Sequence, residues 1–298
     1  MVDSDPIIPA WLTRLYPFSP QRFITPTGAR MSYVDEGPRN DEAVLMLHGN
    51  PTWSFFYRDL IRELSPKIRC IAPDHIGMGL SEKPVDYIYT LETRISDIEA
   101  LVRELGLRKV HLVVHDWGGA IGFGLATKSP SLIGKIVILN TAAFVSNDIP
   151  FRISLCRARW FGDLLVRGLN GFAYPATWMA MNRRKLTAEE KRGFLYPYSS
   201  WRDRIAVSAF VRDIPLEQNH RSRRTLAEVE NSLGKLALNP KLVIWGGKDF
   251  CFNVNFLARW RLVFRDFEAH YLKDVGHYVL DDGGPPVREL ISKFFIES

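Results

Sequence analysis

The chain has 298 residues, of which 46% are hydrophobic and 24% charged, and it carries a net charge of +6. That length suits one large domain or two modest ones, at roughly 150 residues per domain, with enough apolar residues for a sizeable core. No stretch approaches the ~20 apolar residues of a membrane-spanning helix. Three cysteines, Cys70, Cys156 and Cys251, stand at no metal-ligand spacing. Their odd number argues against a disulfide framework and fits a reducing, cytoplasmic setting.

Along the chain, MVDSDPIIPAWLTRLYPF carries two aspartates and no continuous apolar segment, so no signal peptide is expected. Strands are predicted at RMSYVDEG (30–37) and AVLMLHG (43–49), then a helix at WSFFYRDLIREL (53–64) and a strand at IRCIAPD (68–74). A helix at LETRISDIEALVRELG (91–106), a strand at KVHLVVH (109–115), a helix at WGGAIGFGLATK (117–128) and a strand at KIVILN (135–140) follow. The last part adds strands KLVIWG (241–246) and EAHYL (268–272), with helices VNFLARWRLVF (254–264) and PPVRELISKFFIE (285–297). Several strands are almost continuously apolar, as strands buried on both faces of a parallel sheet are. Strand–helix alternation of this kind predicts an α/β fold.

The alternation breaks between about 145 and 226, where the pattern is helical and rich in Arg, Trp, Phe and Tyr. The expected division is a core over 1–144, a helical cap over 145–226 and a second core part over 227–298. Open α/β sheets bind ligands beyond their C-terminal edge, so an insertion there acts as a lid. Residues 151–230 hold 15 Lys/Arg against 8 Asp/Glu, while the remainder holds 24 against 25. The whole basic excess therefore lies in that segment. Solvated helix faces are the plain explanation. Docking to an acidic partner, a membrane surface, or a homo-oligomer or multienzyme assembly through Arg183, Arg184 and Lys185 is the functional one. No nucleic-acid partner is expected.

Three residues define the chemistry. Asp116 stands where a strand turns sharply into a helix, followed by Gly118 and Gly119. Asp249 follows KLVIWG, and His277 lies late, in DVGHYVLDD. The order nucleophile, acid, histidine is that of α/β-hydrolases, whose nucleophile sits on such an elbow. A serine there must be deprotonated before it attacks, whereas a carboxylate of pKa ~3.9 is already ionised at neutral pH. It can displace a leaving group from saturated carbon and form an ester. Histidine is then needed to activate the water that cleaves the ester, and Asp249 to orient it. The inert alternative for Asp116 is a helix N-cap. The backbone N–H groups of Trp117 and Asn50 occupy the oxyanion-hole positions, and their side chains add an indole N–H and an amide. Packing alone is the alternative for these two. Phe144, Trp160, Phe161, Phe172 and Trp178 are candidate pocket lining from the cap. No grouped metal-ligand set and no cofactor motif is expected.

HGNPTWS, PDHIGMGLSEKP, VVHDWGGAIG, WGGKDF and DVGHYVLDD together resemble the haloalkane dehalogenases of the α/β-hydrolase superfamily, over nearly the whole chain. LNTAAF, SSWRDRIA, FVRDIPL and GHYVL are closer to a sister group, the β-lactone decarboxylases of bacterial olefin biosynthesis. The resemblance implies an α/β-hydrolase fold with a mostly parallel sheet and a helical cap, with Asn50 and Trp117 holding a departing halide. Asn140 stands where some relatives carry the acid, so Asp249 takes that role, as in the third dehalogenase subfamily. A haloalkane or a long-chain β-lactone is the implied small apolar substrate, and one site serves either reaction. An epoxide hydrolase, with Tyr174, Tyr196 or Tyr198 as donor, and a non-catalytic binding protein are the further alternatives.

Overall fold

The computed structural model describes residues 8–297; residues 1–7, which hold the start of the segment expected not to be a signal peptide, and residue 298 lie outside the described residues. Among the described residues eight strands form one sheet in the order β1-β2-β4-β3-β5-β6-β7-β8. They are β1 (Gln21–Ile24), β2 (Arg30–Glu36), β3 (Glu42–Leu47), β4 (Arg69–Pro73), β5 (Lys109–Asp116), β6 (Ile133–Thr141), β7 (Lys241–Gly246) and β8 (Glu268–Leu272). β1 and β2 pair antiparallel, and β2 pairs antiparallel with β4; every other neighbouring pair is parallel. The apolar runs predicted as strands fill the buried middle: Val44 to Leu47, Leu112 to Val114, and Ile136 to Leu139 are all inaccessible to solvent.

Helices α1 (Ala10–Thr13), α2 (Arg58–Leu64), α3 (Leu91–Glu104) and α4 (Trp117–Lys128) precede β6. α3 shows why the local sequence folds as it does. Thr90 accepts a hydrogen bond from the Thr93 N–H and caps the first turn, while Leu91, Ile95, Ile98, Leu101 and Val102 form one buried stripe. Burying each such side chain is worth ~1.5–3 kcal/mol. α4 lies on β3, β5 and β6, and α3 packs across it.

Between β6 and β7 every element is helical: α5 (Phe151–Arg157), α6 (Arg159–Asp163), α7 (Ala173–Met179), α8 (Ala188–Leu195), α9 (Ile205–Arg212) and α10 (Arg221–Ser232), with short 3-10 and π turns. The boundary read at residue 226 lies inside α10, which packs on α3 and α4, so that helix runs across it. The chain closes with α11 (Val254–Val263), α12 (Val279–Gly283) and α13 (Pro285–Ile296). Among the described residues no helix is long and apolar enough to cross a membrane.

Candidate functional site

β5 ends at Asp116 and α4 begins at the next residue, so no loop separates strand from helix. Asp116 has φ +52° and ψ −126°, a region L-residues rarely occupy, at a cost of ~1–3 kcal/mol. Tight packing holds it there. A Cβ on Gly118 would overlap the Leu47 carbonyl, one on Gly119 the Thr141 hydroxyl, and one on Gly49 the Asp116 carboxylate. The Thr141 hydroxyl donates to the Asp116 carbonyl. Asp116 stands at the N-cap position of α4 but makes no side-chain capping bond to it.

The Asn50 backbone N–H donates to Asp116 Oδ1 at 2.7 Å. The sequence placed that N–H on a substrate anion; the positive φ of Asp116 instead aims its carboxylate at the turn after β3. The Asn50 side-chain amide donates one N–H to the Val207 carbonyl on α9 at 3.1 Å. An amide carries two such hydrogens, so the second is left for the cleft. His48 braces the turn: its Nδ1 donates to the Gly49 carbonyl at 2.8 Å and its Nε2 accepts from the His75 backbone N–H at 3.2 Å. Burial pushes His48 down to about 4, so it is neutral at pH 7.

His277 and Asp249 meet as the sequence order requires in space. His277 Nδ1 lies 2.7 Å from Asp249 Oδ2, and His277 Nε2 lies 3.7 Å from Asp116 Oδ2. The other Asp249 oxygen accepts the N–H groups of Cys251 and Phe252 at 2.6 and 3.0 Å, which fixes the carboxylate. Burial pushes His277 down, but the Asp249 carboxylate, with Asp116 beyond it, outweighs burial and holds the imidazole above its ordinary value. Burial raises Asp116 above the usual carboxylate range, against the pull of His277 and the N–H groups of Asn50 and Trp117.

Asp116, Asn50 and Trp117 form the floor of a cleft with about 830 Å³ of empty space, open solvent at its mouth included. Phe144 and Phe172 line it, with Ile153, Leu226 and Phe256 among the other apolar walls. Trp160, Phe161 and Trp178 do not. They stand in solvent, Trp160 at 87% exposure, because their helices turn these faces outward. Tyr174, Tyr196 and Tyr198 are also absent from the lining, and the Tyr198 hydroxyl is spent on the Thr52 carbonyl at 3.0 Å. Among the described residues no group of three His, Cys, Asp or Glu side chains could hold a metal ion.

Three contributors were not found in the sequence. His115 Nε2 donates to the His277 carbonyl at 2.9 Å, and burial keeps its ring neutral. Phe252 stacks on the His277 ring at 5.9 Å between centroids. Asp282 accepts the Gly276 N–H at 2.6 Å and the Asn182 N–H at 3.0 Å, tying the His277 loop to the helical segment. The only signal for them was nearness to the motifs, since each acts through a contact between distant parts of the chain.

The profile of the α/β hydrolase fold family matches residues 42–284. A cis-3-alkyl-4-alkyloxetan-2-one decarboxylase of Shewanella oneidensis is 41% identical over 293 residues, covering 96% of this chain and 91% of that one. Haloalkane dehalogenase 2 of Mycobacterium tuberculosis is 29% identical over 303 residues, covering 95% and 96%. The crystal structure of haloalkane dehalogenase DbeA from Bradyrhizobium elkani superposes with a TM-score of 0.85 at 24% identity, covering 94% of this chain and 98% of that one, which speaks for the fold. These relatives are enzymes. The chain belongs to the α/β-hydrolase fold family, as a haloalkane dehalogenase-like member near the β-lactone decarboxylases.

Proposed function

We propose that the protein decarboxylates cis-3,4-dialkyl β-lactones, with Asp116 as nucleophile. The observation that carries this reading is a buried carboxylate at the floor of a cleft whose walls are mostly apolar. The choice of lactone rests on the 41% identity to the decarboxylase, against 29% to the dehalogenase.

The chemistry balances without water. The Asp116 carboxylate attacks ring carbon C4 from behind its C–O bond, and that bond's electron pair leaves on the ring oxygen as a free carboxylate. An ester now joins C4 to Asp116. The C3–carboxylate bond then breaks, its pair forms the C3=C4 double bond, and the ester C–O pair returns to Asp116 as CO₂ departs. Inversion at C4 followed by elimination with the two breaking bonds antiperiplanar leaves the alkyl chains on one side, as a cis alkene. The Asn50 amide and the Trp117 indole are the donors for the carboxylate released in the first step.

Haloalkane dehalogenation is the second reading, favoured by one observation. A histidine paired with a carboxylate and 3.7 Å from the nucleophile is the layout for activating water against an ester. Only the dehalogenase path requires that step. The test is kcat/KM for a long-chain cis-β-lactone against 1-bromobutane on one preparation. A ratio far above unity supports the decarboxylase; one far below it assigns dehalogenation.

A further inference from the structure

We propose that the outer face of α5, α6 and α7 docks on an anionic lipid surface, with the mouth of the cleft turned toward the bilayer. The proposal does not depend on which reaction the site performs. Phe151 and Trp160 stand largely in solvent, at 75% and 87%, and Phe161, Leu164 and Trp178 are about half exposed. Exposed aromatic and aliphatic side chains gathered on one segment mark an interaction surface rather than scattered exposure.

The face is continuous with the cleft. Pro150 and Ile153 line the cleft, while Phe151 and Leu155 on the same turn of chain are exposed. An apolar ligand leaving the cleft past α5 therefore meets an apolar rim. The α5 and α7 parts are joined by Arg152, whose Nη1 lies 3.7 Å from the Met179 sulfur. Lys191 sits 4.4 Å above the Tyr174 ring and 5.4 Å from that of Trp178.

Charge selects the partner. Residues 151–230 carry 15 Lys/Arg against 8 Asp/Glu. Aromatic and aliphatic side chains interleaved with basic ones are the composition of segments that lie in the headgroup region of anionic bilayers. The cluster at 183–185, which the sequence offered for assembly, is a weaker anchor: Arg183 is paired with Asp274, and Arg184 with Glu190.

Flotation of the whole protein with vesicles of pure phosphatidylglycerol, and separately of pure phosphatidylcholine, tests this. The protein is expected to float with phosphatidylglycerol at low salt and to be released by high salt. Trp160→Ser with Phe161→Ser should cut that binding by about tenfold, with an unchanged unfolding midpoint because both side chains already stand in solvent. Arg152→Glu with Lys191→Glu should cut it too. Wild-type protein left in solution overturns the proposal, as does a Trp160/Phe161 variant that floats equally well. A variant whose solution mass falls from a multimer to a monomer also overturns it, by assigning the face to a second copy of the chain.

Discussion

Asn140 and Gly246 are bonded twice across β6 and β7: the Asn140 amide donates to the Gly246 carbonyl at 3.1 Å and accepts from its N–H at 2.7 Å. Asn140 holds φ +33° to make this clamp. The residue that cannot be the acid thus fixes the strand end from which Asp249 departs. Asn140→Ala leaves the buried Gly246 N–H without its side-chain acceptor, at ~1–3 kcal/mol, while the Gly246 carbonyl keeps the Asp249 N–H at 3.3 Å. Urea unfolding is expected to show a loss of that order; a change within ~0.5 kcal/mol, the range of an ordinary surface substitution, would remove the clamp's importance.

Gly49→Ala tests the close approach of the turn to Asp116. A Cβ at residue 49 overlaps the carboxylate, so the side chain must swing or the turn must shift. Displacement of about 1 Å at a reacting group costs about a hundredfold in rate. The expected result is a fall in kcat/KM of that order with the far-ultraviolet circular dichroism unchanged. Wild-type kinetics would show that Asp116 has room the structure does not give it.

The alternation of apolar strands and amphipathic helices was legible because both periods depend on neighbours in sequence. β1 was not: QRFI is four residues long, pairs with β2 alone and keeps no buried side chain. The meeting of Asp116, Asp249 and His277 in space was legible because a strand-end turn and chain order announce it. The outward turn of Trp160 and Trp178 was not, since an aromatic residue reads alike in a wall and on a surface. The Asn50 N–H bond to Asp116 joins residues 66 apart in the chain, a contact that no local residue pattern reports.

Removing one partner of the Arg94–Asp213 pair should destabilise the fold. Both are buried, with Arg94 Nη1 3.0 Å from Asp213 Oδ2, and Arg94 lies 3.7 Å over the Phe210 ring that neighbours Trp117. Asp213→Asn strands a buried guanidinium, for which ~3–5 kcal/mol is the usual cost. The thermal unfolding midpoint measures it. The paired change Arg94→Met with Asp213→Leu is expected to recover most of the loss; failure to recover would show that the pair does more than neutralise itself.

The pH profile separates the two reactions. Asp116 must be ionised to attack, and burial raises its pKa, so both activities are lost as pH falls through a value above the usual carboxylate range. Ester hydrolysis also requires neutral His277, whose pKa its carboxylate neighbours raise. Dehalogenation therefore gains a second limb, rising with pH through a value above ~6.5, the ordinary one for histidine. Decarboxylation, which uses no water, lacks that limb. Lactone turnover that follows the histidine limb would show that His277 takes part in decarboxylation as well.

His277→Phe carries the same distinction to the covalent intermediate. With 1-bromobutane, attack by Asp116 remains but the base that activates water is gone, so a butyl ester should accumulate on Asp116 and appear in the intact mass. With the lactone, loss of CO₂ expels the carboxylate itself, and no water is awaited. The variant should then release alkene with no stable adduct. An adduct that accumulates from the lactone instead would mean that the ester forms but cannot eliminate, and the attack at ring carbon followed by anti elimination would be wrong. No adduct from 1-bromobutane together with no alkene from the lactone, under saturating concentrations, would remove Asp116 as the nucleophile.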